Sequence, residues 1–301
     1  MQMQIGFFAL SRTPHGILDI ATPAFCALLW LGAFPPHGVI LLALATAFSG
    51  YTAIYALNDL VGFQEDKKKF SEASSYSGFS VDASVFHHPI AQGLLNYRSG
   101  IYWATFWFSL ALLGAYFLNP VIILILLVGA ILEIIYCRLL KVTYLRTLIS
   151  GVVKTCGPIA AIFVVTPSPS VFSLLLIFSW VFLWEIGGQN IPADMNDEKE
   201  DKRIHAQTIP VRFGANIAAF IILITLLLTT LISCFLPLIS PLQLGIPYVL
   251  LSLAAGYYFL LEPAFQLYKT KKSIFASKLF DRASYYPLAL LILISLSILF
   301  V

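Results

Sequence analysis

Asn58-Asp59-Leu60-Val61-Gly62-Phe63-Gln64-Glu65-Asp66 and Asp194-Met195-Asn196-Asp197-Glu198-Lys199-Glu200-Asp201 are the two stretches on which the reading of this chain turns. Each directly follows a long apolar run, 38–57 and 171–189 respectively. Between them they hold eight of the fifteen carboxylates: Asp59, Glu65, Asp66, Asp194, Asp197, Glu198, Glu200 and Asp201. A greasy chain that gathers half its acid groups at two helix mouths points to a divalent-cation site. Hard oxygen ligands suit Mg2+, which commonly bridges a few carboxylates to a phosphate-bearing substrate.

Outward from these clusters the chain is 59% hydrophobic and 11% charged, against roughly 25% charged for a soluble domain. Apolar runs recur at about the 20 residues needed to cross a hydrocarbon core of about 30 Å. Nine are counted, at approximately 15–34, 38–57, 100–118, 120–137, 144–165, 171–189, 215–236, 243–261 and 284–301. The expected fold is all-α, a polytopic membrane bundle of nine transmembrane helices. It forms one domain over residues 1–301, with 59–99 and 190–214 as cap loops. A soluble globular domain is excluded. Met1 to Leu10 lacks a basic n-region, so no cleaved signal peptide is expected.

The cations give the orientation. Of 18 Lys and Arg, 17 fall in alternate gaps between spans, and the gaps around Pro35-Pro36, Asn119-Pro120, 166–170 and 237–242 hold none. By the positive-inside rule the N-terminus and both acidic clusters face the cytoplasm, and the C-terminus lies on the opposite side. The cell membrane is the expected location. Cys26, Cys137, Cys156 and Cys234 show no CxxC spacing and read as small apolar packers. The net charge of +3 belongs to the cytoplasmic loops and implies no nucleic-acid partner. The one long loop, 59–99, has a Ser-rich middle (Ser71, Ser74, Ser75, Ser77, Ser80).

Spacing shows what the clusters could do. Asn58 and Asp66 are about two helical turns apart and share a face if the preceding helix continues. Asp194, Asp197 and Asp201 recur at three and four residues and would share one helical face. Unpaired, that stripe repels itself, and a diphosphate held between two Mg2+ ions would complete the site. The competing reading is a set of solvated interfacial charges.

At these residues the chain resembles the UbiA superfamily of intramembrane prenyltransferases. The family's first motif, NDxxDxxxD, is similar to Asn58-Asp59 through Asp66. The second, DxxDxxxD with a K/R-T-[LI]-[PA]-x-x-x-G tail, is similar to Asp194, Asp197 and Asp201 running into Gln207-Thr208-Ile209-Pro210-Val211-Arg212-Phe213-Gly214. An RPLxxG element is echoed by His88-Pro89-Ile90-Ala91-Gln92-Gly93, and Arg12 ahead of the first span also matches. The resemblance implies transfer of an allylic polyprenyl group from its diphosphate to an aromatic or other lipophilic acceptor, with Mg2+ as cofactor. Asn58 and Asp66 would serve one metal, and Asp197 and Asp201 the other, with Asp194 assisting and Asp59 as a further metal candidate. Asp66, Asp197 and Asp201 would carry catalysis, and Arg12 and Asn58 would contact substrate. Two departures stand out. The family's central aspartate of the first motif is Gly62 here, and the RP element has His88 for Arg.

Further residues carry paired readings. Lys141 and Arg146 could grip phosphate or simply anchor the interface. Lys154 lies deep within a span, where cations are costly and usually paired or functional. An ion pair with Asp19, Glu133 or Glu185 is expected, with substrate contact as the second role. Asn190, after Gly187-Gly188-Gln189, could orient substrate or be an ordinary helix end. Tyr51, Tyr55, Tyr136 and Trp184 could shield a carbocation with their ring faces or pack as core. Two other functions compete: a catalytically impaired isoprenoid-binding relative, motivated by Gly62, and a membrane transporter using Asp19, Glu133, Lys154 and Glu185.

Overall fold

A computed structural model of the chain describes residues 2–71 and 88–300. A short α1 (Gln2–Leu10) leads into α2 (Thr13–Leu31), α3 (His37–Ser71), α4 (Tyr97–Leu118), α5 (Val121–Arg138) and α6 (Arg146–Val165). These are followed by α7 (Val171–Asn196), α8 (Glu198–Arg203), α9 (Ile209–Ser233), α10 (Gly245–Thr270) and α11 (Ser273–Phe300). Among the described residues, nine helices are long and apolar enough to span a bilayer, all but α1 and α8, and there is no strand. Helices satisfy their backbone groups internally, the condition a hydrocarbon environment imposes.

Local chemistry sets the ends. The Asn96 side chain accepts from Arg98 N at 3.0 Å to start α4, and Ser170 accepts from Ser173 N at 3.2 Å to start α7. Gly214, at φ 81° and ψ 165°, separates the first turn of α9 from its long apolar part. A side chain there would be strained, since left-handed φ is cheap only for glycine.

Two expectations about the cap are corrected. Segment 59–99 does not begin as a loop, because α3 runs unbroken to Ser71. Beyond Gly62 the sequence Gln64-Glu65-Asp66-Lys67-Lys68-Lys69 lacks a helix breaker and includes strong helix formers, so the charge that suggested a loop decorates a helix. Of the Ser-rich middle, Ser74, Ser75, Ser77 and Ser80 lie outside the described residues. Segment 190–214 is also largely helical, made of the end of α7, α8 and the start of α9. The helix breaks at Asp197 (φ −92°, ψ 8°), so Asp194, Asp197 and Asp201 do not ride one continuous helix.

The largest buried cluster joins α2, α7, α9, α10 and α11 through Phe25, Trp180, Trp184, Ile222, Leu226, Leu260, Tyr286 and Leu290. Trp184 Nε1 donates to Ala283 O at 3.0 Å, fixing α7 on α11. In lipid, close approach of backbones replaces the hydrophobic drive between helices. A Cβ on Gly114 of α4 would lie 2.0 Å from Thr46 Oγ1 of α3, and one on Gly187 of α7 would lie 2.2 Å from Thr225 Oγ1 of α9. Near its end α7 makes one wide π-helical turn, Glu185–Asn190, which contains Gly187-Gly188. Such turns are frequent at functional sites.

Candidate active site

The first acidic motif sits within about the final four turns of α3. Asn58 Oδ1 accepts from Arg12 at 3.4 Å, while its Nδ2 donates to Glu133 Oε1 of α5 at 2.6 Å. Asp59 faces away from the cavity toward Arg12, 3.5 Å distant, and His88 Nδ1, 2.9 Å distant. His88 Nδ1 is also 3.2 Å from Asp66 Oδ2, so one imidazole bridges both carboxylates. Burial works to lower the His88 pKa, but the carboxylates of Asp66 and Asp59 outweigh it and raise the value above the usual histidine range. His88 holds this position at φ 49°, an uncommon conformation for a residue with a Cβ. Asp66 Oδ2 leans back over Gly62, 2.9 Å from where a Cβ on that glycine would stand.

The second motif meets it across the cavity. Asp194 is buried against Arg146, whose Nη2 donates to Oδ1 at 3.1 Å, and Arg146 also donates to Tyr136 OH at 2.8 Å. Asn190 Nδ2 donates to the same hydroxyl at 2.9 Å. Lys69, one turn beyond Asp66, reaches Asp201 Oδ1 at 2.7 Å and Asp197 Oδ2 at 3.8 Å. The two motifs are thus joined by a lysine of α3. Burial raises the Asp201 pKa above the ordinary carboxylate value, against the pull of Lys69.

Two chambers meet at these residues. A polar chamber of about 610 Å³ is lined by Asp66, Lys69, His88, Lys141, Arg146, Asp194, Asp197 and Asp201. An apolar chamber of about 550 Å³ extends into the bundle between α2, α3, α5, α6 and α7. Arg12, Asn58, Tyr136, Ala193 and Phe280 line both and form the neck between them. Phe34 and Leu44 line the apolar chamber and are also exposed on the outer surface, so it opens sideways.

Every proposed site residue except Asp59, Lys154 and Asn190 borders the polar chamber, and Asn190 lines the apolar side beside Tyr136. Lys141 pairs with Glu65 at the rim. Lys154 lies within the apolar chamber, 2.7 Å from Asp19 Oδ1 and 4.0 Å from Glu185 Oε2. The expected ion pair is therefore present with Asp19 and Glu185, whereas Glu133 is taken by Asn58. Sequence reasoning passed over Lys69. Its three-residue spacing from Asp66 becomes informative only once α3 is known to continue beyond the membrane.

The donor set suits a hard divalent cation: carboxylates from α3, α7 and α8, and the Asn58 amide. Asp194 Oδ2 is a buried oxygen that receives no hydrogen bond among the described residues. Among those residues no three His, Cys, Asp or Glu already form a chelate, because Lys69, His88 and Arg146 stand between the carboxylates. The residues fit such an ion, whose arrival would displace these internal cations.

Comparison with known proteins follows the same lines. The profile of the UbiA prenyltransferase family matches residues 20–285. The fold is similar to that of a UbiA homologue from Aeropyrum pernix K1 in its apo form, at TM-score 0.74 and 15% identity over 96% of this chain and 98% of that one. It is similar to a UbiA homologue from Archaeoglobus fulgidus bound to DMAPP and Mg2+, at TM-score 0.68 and 14% identity over 96% and 99%. It is also similar to a structure described for digeranylgeranylglyceryl phosphate synthase, at TM-score 0.65 and 16% identity over the full length of both chains. No curated protein matches by sequence.

Proposed function

The chain belongs to the UbiA prenyltransferase family, and from that membership we propose that it moves a polyprenyl group from its diphosphate to a lipophilic, aromatic or similar acceptor, with Mg2+ as cofactor. The observation that carries the reading is the junction of a charged chamber with an apolar one at the Arg12, Asn58 and Tyr136 neck. An amphiphile with a diphosphate head and a hydrocarbon tail matches that division. The Archaeoglobus fulgidus homologue bound to DMAPP and Mg2+, and to GPP and Mg2+, supports it.

In this reading Asp66, Asp197 and Asp201, with Asn58 and Asp194, hold the metal, and Asp59 supports them through His88 and Arg12. Bound Mg2+ supplies charge neutralisation on the diphosphate as the allylic C–O bond breaks. Arg12, Arg146, Lys141 and Lys69 would donate to phosphate oxygens, adding fixed positive charge where negative charge develops. Tyr136, held by Arg146 and Asn190, presents a ring at the neck, where an allylic cation would form. The apolar chamber would take the tail and keep water from that cation. Asp66, leaning over Gly62, returns a carboxylate to the position where the family's first motif has its central aspartate, which supports an active enzyme. The intramembrane groups that motivated a transporter are engaged locally, Lys154 paired with Asp19 and Glu133 accepting a hydrogen bond from Asn58.

We further propose one domain over 1–301, with the polar chamber and N-terminus cytoplasmic and the C-terminus opposite, in the cell membrane. Incubating the purified protein with labelled polyprenyl diphosphate, Mg2+ and a panel of acceptors tests the function. Label should pass to an acceptor and stop doing so on chelation. Binding without transfer to any acceptor would favour the impaired relative.

A further inference from the structure

Polar side chains descend into the apolar chamber, where a hydrocarbon tail alone would need none. On α3, Asn58, Tyr55 and Tyr51 recur at three and four residues and cover about 10 Å of one face at 1.5 Å per residue. On α6, Arg146, Ser150 and Lys154 recur every four, covering about 12 Å. At the inner end Lys154 Nζ donates to Asp19 Oδ1 at 2.7 Å, and Ser150 Oγ donates to Glu185 Oε1 at 2.7 Å. Tyr55 OH donates to the other oxygen of Asp19. Glu185, only 7% exposed, keeps Oε2 without a hydrogen-bond partner among the described residues, and so does the hydroxyl of Tyr51. Both residues line the chamber. A buried polar group left unsatisfied has given up its hydrogen bonds to water without replacement. With Gln189 Oε1 and Asn190 Oδ1, which also line the chamber without a hydrogen-bond partner among the described residues, four such atoms in one chamber mark a place for a polar ligand.

Charge decides which kind. Lys154 is matched by Asp19 and stands 4.0 Å from a second carboxyl, Glu185. His15 Nε2, 3.6 Å from Asp19, is the other basic group in the cluster. With Glu185 ionised, the cations would not outnumber the carboxylates even if His15 were protonated. A carboxylate ligand would meet no surplus positive charge, whereas a neutral hydroxyl can donate to Glu185 Oε2 and bond the Tyr51 hydroxyl. We propose that the inner end of the apolar chamber is an acceptor subsite for a neutral, hydroxylated aromatic ring, bound by Glu185 and Tyr51 and selective against carboxylated rings. This rests on the prenyl-transfer reading. The distance of about 10 Å from Asn58 to Tyr51 has room for an allylic carbon, a near-attack gap of about 3–3.5 Å and one ring.

The test uses full-length protein in detergent micelles, loaded with Mg2+ and the unreactive geranyl thiolodiphosphate. Hydroquinone and 4-hydroxybenzoate share a ring and a para position and differ in charge. Calorimetry should show hydroquinone binding about tenfold more tightly, the equivalent of roughly one net hydrogen bond. Tyr51→Phe and Glu185→Gln should each weaken hydroquinone about fivefold or more and leave thiolodiphosphate binding unchanged. Glu185→Gln should also narrow the gap between the two rings. Equal or tighter binding of 4-hydroxybenzoate to the wild-type protein, or no binding of either ring, would overturn the subsite, and this comparison needs no variant to fold. Failure to bind the thiolodiphosphate itself would overturn the prenyl-transfer reading and the subsite with it.

Discussion

Asp66 and Asp59 sit seven residues apart on α3 and share one imidazole, yet only Asp66 borders the polar chamber. Their substitutions should therefore differ. Asp66→Ala should cut Mg2+-dependent turnover by about 100-fold or more, since a ligated metal contributes several kcal/mol of charge stabilisation. Asp59→Ala, acting through His88 and Arg12, should cost closer to the roughly 10-fold loss typical of groups that orient a ligand. Asp197→Ala and Asp201→Ala should each abolish or severely reduce turnover while the protein still inserts. Near-wild-type rates in both would make the acidic stripe a solvated surface. Gly62→Asp brings a Cβ to 2.9 Å from Asp66 Oδ2, the mobile end of a side chain, so the carboxylates should rearrange and Mg2+ affinity should hold or rise. A folded but inactive Gly62→Asp protein would show that position 62 needs open space. Mg2+ titrations of these variants separate the cases.

Helices were readable to the degree that their cause is local. Nine spans and their order follow from runs of about 20 apolar residues, and the structure places them within a few residues of 38–57 or 215–236, apart from helical extensions. The extensions were not readable from polarity: α3 goes on to Ser71 because charged side chains do not stop a helix that has neither proline nor an αL glycine, and α7 goes on to Asn196 through Pro192, directly after its π-helical turn. The π-helical turn at Glu185–Asn190 and the break at Asp197 depend on packing against α9, α11 and Lys69, which no window of sequence displays. The same holds for the site: the acidic motifs and Tyr136 were visible, but Lys69 became a member only through its contact with Asp201, and Glu133, a candidate partner of Lys154, accepts from Asn58 instead. Packing at the turn can be tested. A Cβ on Gly187 would meet Thr225 Oγ1 at 2.2 Å and the Ile222 carbonyl oxygen at 3.1 Å. Gly187→Val should cost about 1–3 kcal/mol by overpacking and lower the thermal midpoint in detergent. Gly129→Ala, whose Cβ would stand an ordinary 3.4 Å from Cys156 Sγ, should leave the midpoint near wild type.

For the whole molecule, the alternating distribution of 17 of the 18 cations predicts that Phe70→Cys and Glu200→Cys are labelled by an impermeant thiol reagent from the same, cytoplasmic side of the membrane. Labelling from opposite sides would undo the arrangement of both motifs over one chamber. The sideways opening at Phe34 and Leu44 carries a consequence for kinetics. A lipophilic acceptor reaching the apolar chamber through that opening arrives from the bilayer, so its effective concentration is its mole fraction among lipids or detergent molecules, not its molarity in buffer. Adding empty micelles at constant total acceptor should slow turnover by surface dilution. Apparent KM values for such acceptors then become comparable between preparations only when expressed in two dimensions.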